Sequence, residues 1–166
     1  RMQHSSDSDV VVLGAGYAGV MAANRMAGRG ERVTVVTPEP HFVERIRLHR
    51  VASGARDDAR VDLADLLHPA VEVALGRAVR IDDGERTVLL EGGTSLRYGT
   101  LVCAVGSGAH ARVGGSTSAF RIADEAGALE LRAALAERPE EPVTTAGSGL
   151  TGLVPAAVLA DRQGGV

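Results

Sequence analysis

The sequence has no tryptophan, a single cysteine and an aromatic share of 2% across its 166 residues, and all 18 of its basic residues are arginine, so there is no lysine. Each shortage removes options. Without lysine there is no Schiff-base nucleophile and no phosphate-binding loop of the lysine type. One cysteine, Cys103, cannot build a disulfide framework or a cysteine-rich metal site. So few aromatics leave a core of Val, Leu, Ile and Ala, which suits parallel strands better than an aromatic-rich sandwich. No apolar run approaches the ~18 residues that a membrane span requires. There is no basic block and the net charge is −3, which argues against a nucleic-acid partner. Residues 1–9 are polar and carry no signal-peptide core, so a cytoplasmic location is expected, with Met2 as the natural start and Arg1 a remnant of cloning.

What is present is 45% hydrophobic and rich in Ala, Gly and Arg, a bias that points to a GC-rich bacterial genome. The length suits one domain or slightly more, enough to bury about 70% of the unfolded surface. Residues 10–13 (VVVL) form a short β-branched run ending at Gly14, the pattern of a buried parallel strand. Residues 20–27 read as a helix closed by Gly28 and Gly30, and residues 32–37 as a second strand broken by Pro38 and Pro40. Short helices are expected at 43–53 and 61–67. Residues 71–75, 77–81, 86–90 and 95–97 read as a small antiparallel meander separated by Gly and Asp turns. Residues 100–104 read as another buried strand, with Cys103 packed inside it. A Gly/Ser/Ala connector at 107–118 leads to an Ala/Leu helix at 124–137 with Asp124 as its N-cap. A strand at 143–146 and a helix at 153–161 follow, with Pro155 in the first helical turn.

Gly14-Ala15-Gly16-Tyr17-Ala18-Gly19 is a G-x-G-x-x-G motif. It follows one expected strand, opens a helix and precedes a second strand, the setting in which the motif binds a dinucleotide. Gly14 serves the tight turn, Gly16 admits the pyrophosphate and Gly19 lets the helix pack on the strand. The helix N-terminus then offers its N–H groups and partial positive charge to the phosphates. The end of the second strand, where an acid ordinarily holds the ribose hydroxyls, carries Thr37 followed by Pro38, with Glu39 two positions on. Thr37 offers one hydroxyl; Glu39 is either a ribose ligand or a solvated loop residue.

The order of elements, with residues 40–49 (PHFVERIRLH) and 98–107 (YGTLVCAVGS), resembles the FAD domain of the pyridine nucleotide-disulfide oxidoreductase superfamily, and within it flavoproteins related to type II NADH dehydrogenases. The resemblance covers residues 9–163. It implies an α/β fold. A Rossmann-like FAD-binding domain, parallel sheet plus small antiparallel meander, is expected at 9–112. A connector and an incomplete second nucleotide-binding unit are expected at 113–166. It also implies that Ala78 and Val79 contact adenine through their backbone. Ala104, Val105 and Gly106 would lie beside the flavin dinucleotide, with Val105 where the family has Thr. Arg45, and His49 four residues on along the same helical face, would lie near the flavin. Disulfide reductases of this superfamily place a C-x4-C pair on that helix. This chain has none, so any redox work would pass directly between flavin and a small molecule.

Gly147-Ser148-Gly149-Leu150-Thr151-Gly152 repeats the motif, with Val154 where the family has Glu. In the family this second motif binds NAD(P)H. Here too little chain follows it, and NAD(P)H is not expected to bind this chain alone. His4, His41, His49, His68 and His110 are scattered without metal-ligand spacing, and Ser107, Ser116 and Ser148 lack a base signature, so neither a metal nor a serine nucleophile is expected. Three functions remain open: an FAD-dependent oxidoreductase acting on a small molecule, a non-redox cyclase or isomerase on an inherited flavoprotein scaffold, or half of a split flavoprotein. An unpaired strand at 143–146 and an apolar helix after it would favour a homodimer or a partner chain.

Overall fold

The computed structural model describes residues 6–106, 119–146 and 149–162. Two compact units are present: one of residues 1–42 and 61–108, the other of residues 43–60 and 109–166.

The first unit is built on the apolar run at residues 10–13. Strand β1 (Ser6–Leu13) leads through the glycine loop into helix α1 (Tyr17–Ala27), and strand β2 (Val33–Thr37) returns parallel to β1, Val10 opposite Val33 and Leu13 opposite Val36. All five residues of β2 are buried, as expected of a strand covered on both faces. Strand β3 (His41–Val43) and, further on, strand β4 (Arg60–Asp62) form a separate two-stranded sheet. Residues 61–67, expected to be one helix, divide between β4 and the short helix α3, whose helical residues are Leu63–Leu66. The Val-Asp pair at its start continues an extended strand.

Strand β5 (Val71–Leu75) corrects the sequence reading. It is not part of the meander but runs parallel to β2, Val35 opposite Val73. The connection through α3 reverses the chain, so β5 enters beside β2 in the same direction. The meander is β6 (Ala78–Asp82), β7 (Thr87–Leu90) and the first part of β8. Strand β8 (Ser95–Cys103) is a single nine-residue strand where two were expected; it pairs antiparallel to β7 at Ser95–Arg97 and parallel to β1 along most of its length. Gly99, between the two expected strands, lies close to β1, where a Cβ would come within 2.9 Å of the Asp9 carbonyl oxygen.

The strand order is β5-β2-β1-β8-β7-β6, yet β5 and β6 are joined by Gly76 and Arg77 alone. Three Cα steps reach at most about 11 Å. Five strand spacings in a flat sheet would span about 24 Å. The sheet therefore curls back, and the meander lies over one face of the parallel strands. That face holds Val11, Leu13 and Val36 against Val88, Leu90, Leu96 and Tyr98. The opposite face holds Val10, Val12, Val33 and Val35 against Ala23 and Ala27 of α1, with Phe42, Leu63 and Leu67. Val12 and Val35 are wholly buried; each such side chain contributes about 1.5–3 kcal/mol. Asn24 ties α1 to the segment after α3, donating to the Leu66 carbonyl at 2.7 Å and accepting from the His68 N–H at 2.7 Å.

In the second unit, residues 43–53 are not one helix. A 3-10 turn (Arg45–Arg47) precedes helix α2 (Leu48–Ala52). Leu48, Val51, Ala52 and Ala59 pack with Ala128 and Leu131 of helix α4 (Glu125–Glu137). The expected cap holds: Asp124 Oδ1 accepts from the Gly127 N–H at 2.9 Å. Two arginines tie residues 56–60 to α4: Arg60 grips both carboxylate oxygens of Glu125, and Arg132 donates to Asp57 and to the Arg56 carbonyl. Residues 143–146, expected to be a strand, have no regular structure and are exposed. A strand needs a neighbour to satisfy its backbone, and among the described residues none stands beside them. Helix α5 (Leu150–Arg162) starts three residues earlier than read, so Pro155 lies in its interior, not its first turn. The connector at 107–118 and Gly147-Ser148 fall outside the described residues, as do His4 and His110.

Candidate functional site

The ends of β1, β2, β5 and β8 meet around the first glycine loop, and backbone hydrogen bonds trace the assembly. The Ala104 N–H donates to the Leu13 carbonyl at 2.8 Å, the Gly14 N–H to the Val36 carbonyl at 2.8 Å, and the Gly76 N–H to the Thr37 carbonyl at 2.8 Å. Ala78 and Val79, at the start of β6, follow two and three residues after Gly76. The first unit thus gathers Gly14, Gly16, Tyr17, Ala18, Gly19, Thr37, Pro38, Ala78, Val79, Ala104, Val105 and Gly106. Arg45 and His49 belong to the second unit.

The three glycines divide by role. Gly14 has φ +100, and a Cβ there would strike the Ala104 carbonyl. A Cβ on Gly19 would strike the Gly14 carbonyl. Both are required by the protein's own packing. Gly16 is not: its φ is −79 and a Cβ would meet no atom within 4 Å. It is the N-cap of α1, makes no side-chain cap, and the first turn has no acidic residue. Gly16, Tyr17 and Ala18 are exposed, while Ala15 and Gly19 are buried. The helix therefore presents its positive pole and N–H groups without a side-chain cap, beside a position where, among the described residues, a Cβ would meet no atom within 4 Å. Such a cradle fits the diphosphate of a dinucleotide.

The rim differs from the sequence reading in places. Thr37 is buried and its hydroxyl is engaged, donating to the Glu39 carbonyl at 3.2 Å and accepting from the Glu39 N–H at 3.3 Å. Glu39, by contrast, is exposed. The β6–β7 ladder shifts register between Ala78 and Arg80, which leaves Val79 at a bulge and out of the pairing. This bulge was not foreseen, since residues 77–81 carry no glycine or proline to mark it. Val105 is 72% exposed just past the end of β8. Cys103, expected to be buried, is exposed; beyond Tyr98, β8 has β1 as its one partner among the described residues, so its side chains lack cover. Tyr17 stands edge-on to Phe42, ring centroids 4.8 Å apart.

A family model described as pyridine nucleotide-disulphide oxidoreductase matches residues 8–165. The chain belongs to the pyridine nucleotide-disulphide oxidoreductase family. Its first unit has the Rossmann-like α/β fold of the family's dinucleotide domain. Among solved structures, it is similar to the sulfide:quinone oxidoreductase of Aquifex aeolicus, with 28% identity and TM-score 0.68 over 80% of this chain and 32% of that one. A ferredoxin reductase from Rhodopseudomonas palustris is 26% identical, TM-score 0.73, over 93% of this chain and 41% of that one. NDH2 from Plasmodium falciparum shares the fold at 17% identity, TM-score 0.74, over 93% of this chain and 37% of that one. The chain thus spans about a third to two fifths of these relatives. No curated protein matches it.

Arg45 and His49 do not share one α-helical face as the family's pattern implied. Arg45 sits on the 3-10 turn and His49 on α2, because the helix winding changes at Leu48. Arg45 is exposed and His49 half-buried. Burial pushes the His49 imidazole below its usual range and the charge of Arg50 adds to this, against a hydrogen bond that the ring donates to the Ile46 backbone carbonyl. Among the described residues no group of three or more His, Cys, Asp or Glu could hold a metal, and no helix is long and apolar enough to cross a membrane.

Proposed function

We propose that the chain is the FAD-binding part of a flavin-dependent oxidoreductase that acts directly through flavin on a small molecule. The observation that carries this reading is the contrast among the glycines. Gly14 and Gly19 serve packing, whereas Gly16 stands at a helix N-terminus without a side-chain cap, where among the described residues a Cβ would meet no atom within 4 Å. Tyr17, Ala18 and the backbone of Gly16 would hold the diphosphate. The backbone at the Val79 bulge, with Ala78, would take the adenine. Ala104, Val105 and Gly106 would border the dinucleotide. FAD supplies the electron-accepting ring, and the absence of a C-x4-C pair leaves exchange direct.

The same reading gives residues 9–112 the FAD site and residues 113–166 a connector and an incomplete NAD(P)-type unit, in a cytoplasmic protein. The lack of a strand at 143–146 supports the incompleteness. It also removes the open strand edge as a reason for dimerisation. The exposed Leu153 and Val154 of α5 remain as support for a second copy or a partner chain.

Titration of FAD against the chain by flavin fluorescence tests the site. The native protein should bind. Gly16→Val should bind at least about tenfold more weakly with an unchanged melting temperature, because a side chain there fills the cradle and touches nothing else. No binding by the native chain, or equal binding by both, would overturn the reading. In anaerobic mixing, NADH should not bleach the bound flavin at a turnover rate on the order of 10 s⁻¹.

A further inference from the structure

We propose that copies of this chain associate head to tail, the arginine-rich turn before α2 of one copy docking on the outward face of α4 of the next. The charges of the second unit are sorted by sign along the sequence. Residues 45–56 hold four arginines and no acid, whereas residues 124–141 hold six acids and two arginines. Pairing within the unit engages part of each set. Glu44 takes Arg47 and Arg56, Asp57 takes Arg132, Glu125 takes Arg60 and Glu141 takes Arg138. Asp124 is committed to the cap of α4. Arg45 and Arg50 are exposed and, among the described residues, their side chains have neither an ion pair nor a hydrogen bond; the same holds for Glu137 and Glu140.

Each charged surface also carries exposed apolar groups. Ile46 is 69% exposed between Arg45 and Arg47. On α4, Leu129 is 43% exposed, in an exposed stripe with Ala126, Ala133 and Ala136 that runs out at Glu137. An apolar centre with a charged rim is the anatomy of a protein interface. The two surfaces cannot meet within one copy. Helices α2 and α4 pack on each other through Leu48, Val51, Ala128 and Leu131. Helical winding sets Arg50 opposite the buried face of α2, and Ala126, Leu129 and Ala133 opposite the buried face of α4. The basic and acidic surfaces therefore look away from each other, and the opposite sign that each lacks is supplied by a second copy. A contact between two different surfaces is heterologous, so copies add in a row unless the rotation closes a ring.

Sedimentation velocity of the full chain over a hundredfold range of concentration, at low salt, tests this. The mean mass of the native protein should rise with concentration. Salt at about 0.5 M should weaken association about tenfold or more, since it screens exposed charges. Two charge reversals, Arg45→Glu with Arg50→Glu and Glu137→Arg with Glu140→Arg, should each leave a monomer throughout the range. Their melting temperatures should stay near the native value, because all four side chains are exposed. An equimolar mixture of the two reversed proteins should associate again, because each reversed surface then meets its opposite. Ile46→Ser should weaken association about tenfold while leaving its salt dependence in place. A native chain that stays monomeric at every concentration would overturn the proposal. Association that survives either reversal would overturn it too, as would a mixture of the two variants that remains monomeric.

Discussion

The backbone carbonyl of Ala104 occupies the place where a side chain on Gly14 would begin. The end of β8 is thereby locked against the turn that leaves β1, and the Ala104 N–H closes the contact on the Leu13 carbonyl. Gly14→Ala must both leave φ +100 and push two strands apart. A loss of about 2–4 kcal/mol in urea denaturation is expected. Gly16→Ala should stay within about 0.5 kcal/mol of the native protein, since its backbone is ordinary and its surroundings open. Two substitutions of one kind, two positions apart, should therefore differ by several kcal/mol.

Asn24 joins α1 to the segment after α3 through both ends of its amide. Asn24→Ala leaves the Leu66 carbonyl and the His68 N–H without those partners. A cost of about 1–3 kcal/mol is expected. Hydrogen exchange at the His68 amide should quicken by more than global destabilisation accounts for. Asn24→Asp keeps the acceptor for His68 but turns a carboxylate oxygen toward the Leu66 carbonyl, so it should protect that amide without restoring full stability.

His49 titrates below its usual range because it is half-buried, with Arg50 adding to the effect. A base whose folded pKa is depressed favours the neutral form in the fold, so the unfolded chain takes up its proton first. Its contribution is complete above the ordinary histidine range and is lost as pH falls through that range toward the lower folded value. Unfolding followed across pH 7.5 to 5 should show stability declining toward acid. His49→Asn should flatten this decline, and NMR should find the imidazole titrating below 6.5, the ordinary value for the group.

Much of this was legible in the sequence, for a definite reason. The run at residues 10–13, the glycine loop and the Asp124 cap are local signals, each set by residues within a few positions of one another. What escaped depended on partners far along the chain. Residues 71–75 alternate like a meander strand, and their parallel place beside β2 follows from the chain reversal through α3. Cys103 sits in an apolar run, and its exposure follows from β7 ending its pairing at Arg97, which leaves that side of β8 without a strand beside it among the described residues. The engaged hydroxyl of Thr37 is again local, and the Thr-Pro-Glu sequence is compatible with that turn. The contribution of Val79 is not local, because a bulge is decided by how two strands fit.

The place of β1 in the strand order also governs how the chain is made. One flank of β1 is closed by β2, which follows it closely; the other is closed by β8, with Leu13 opposite Cys103, ninety residues apart. At about 5–20 residues per second, a ribosome needs about 3–13 s to pass from Thr37 to Cys103. Throughout that interval the nascent chain holds residues 10–13, its central apolar strand, with one flank unfilled. A pause or a truncation within the window leaves a bare template on which another emerging chain can add a strand. Residues 95–103 therefore complete the sheet and also end the period in which it invites aggregation.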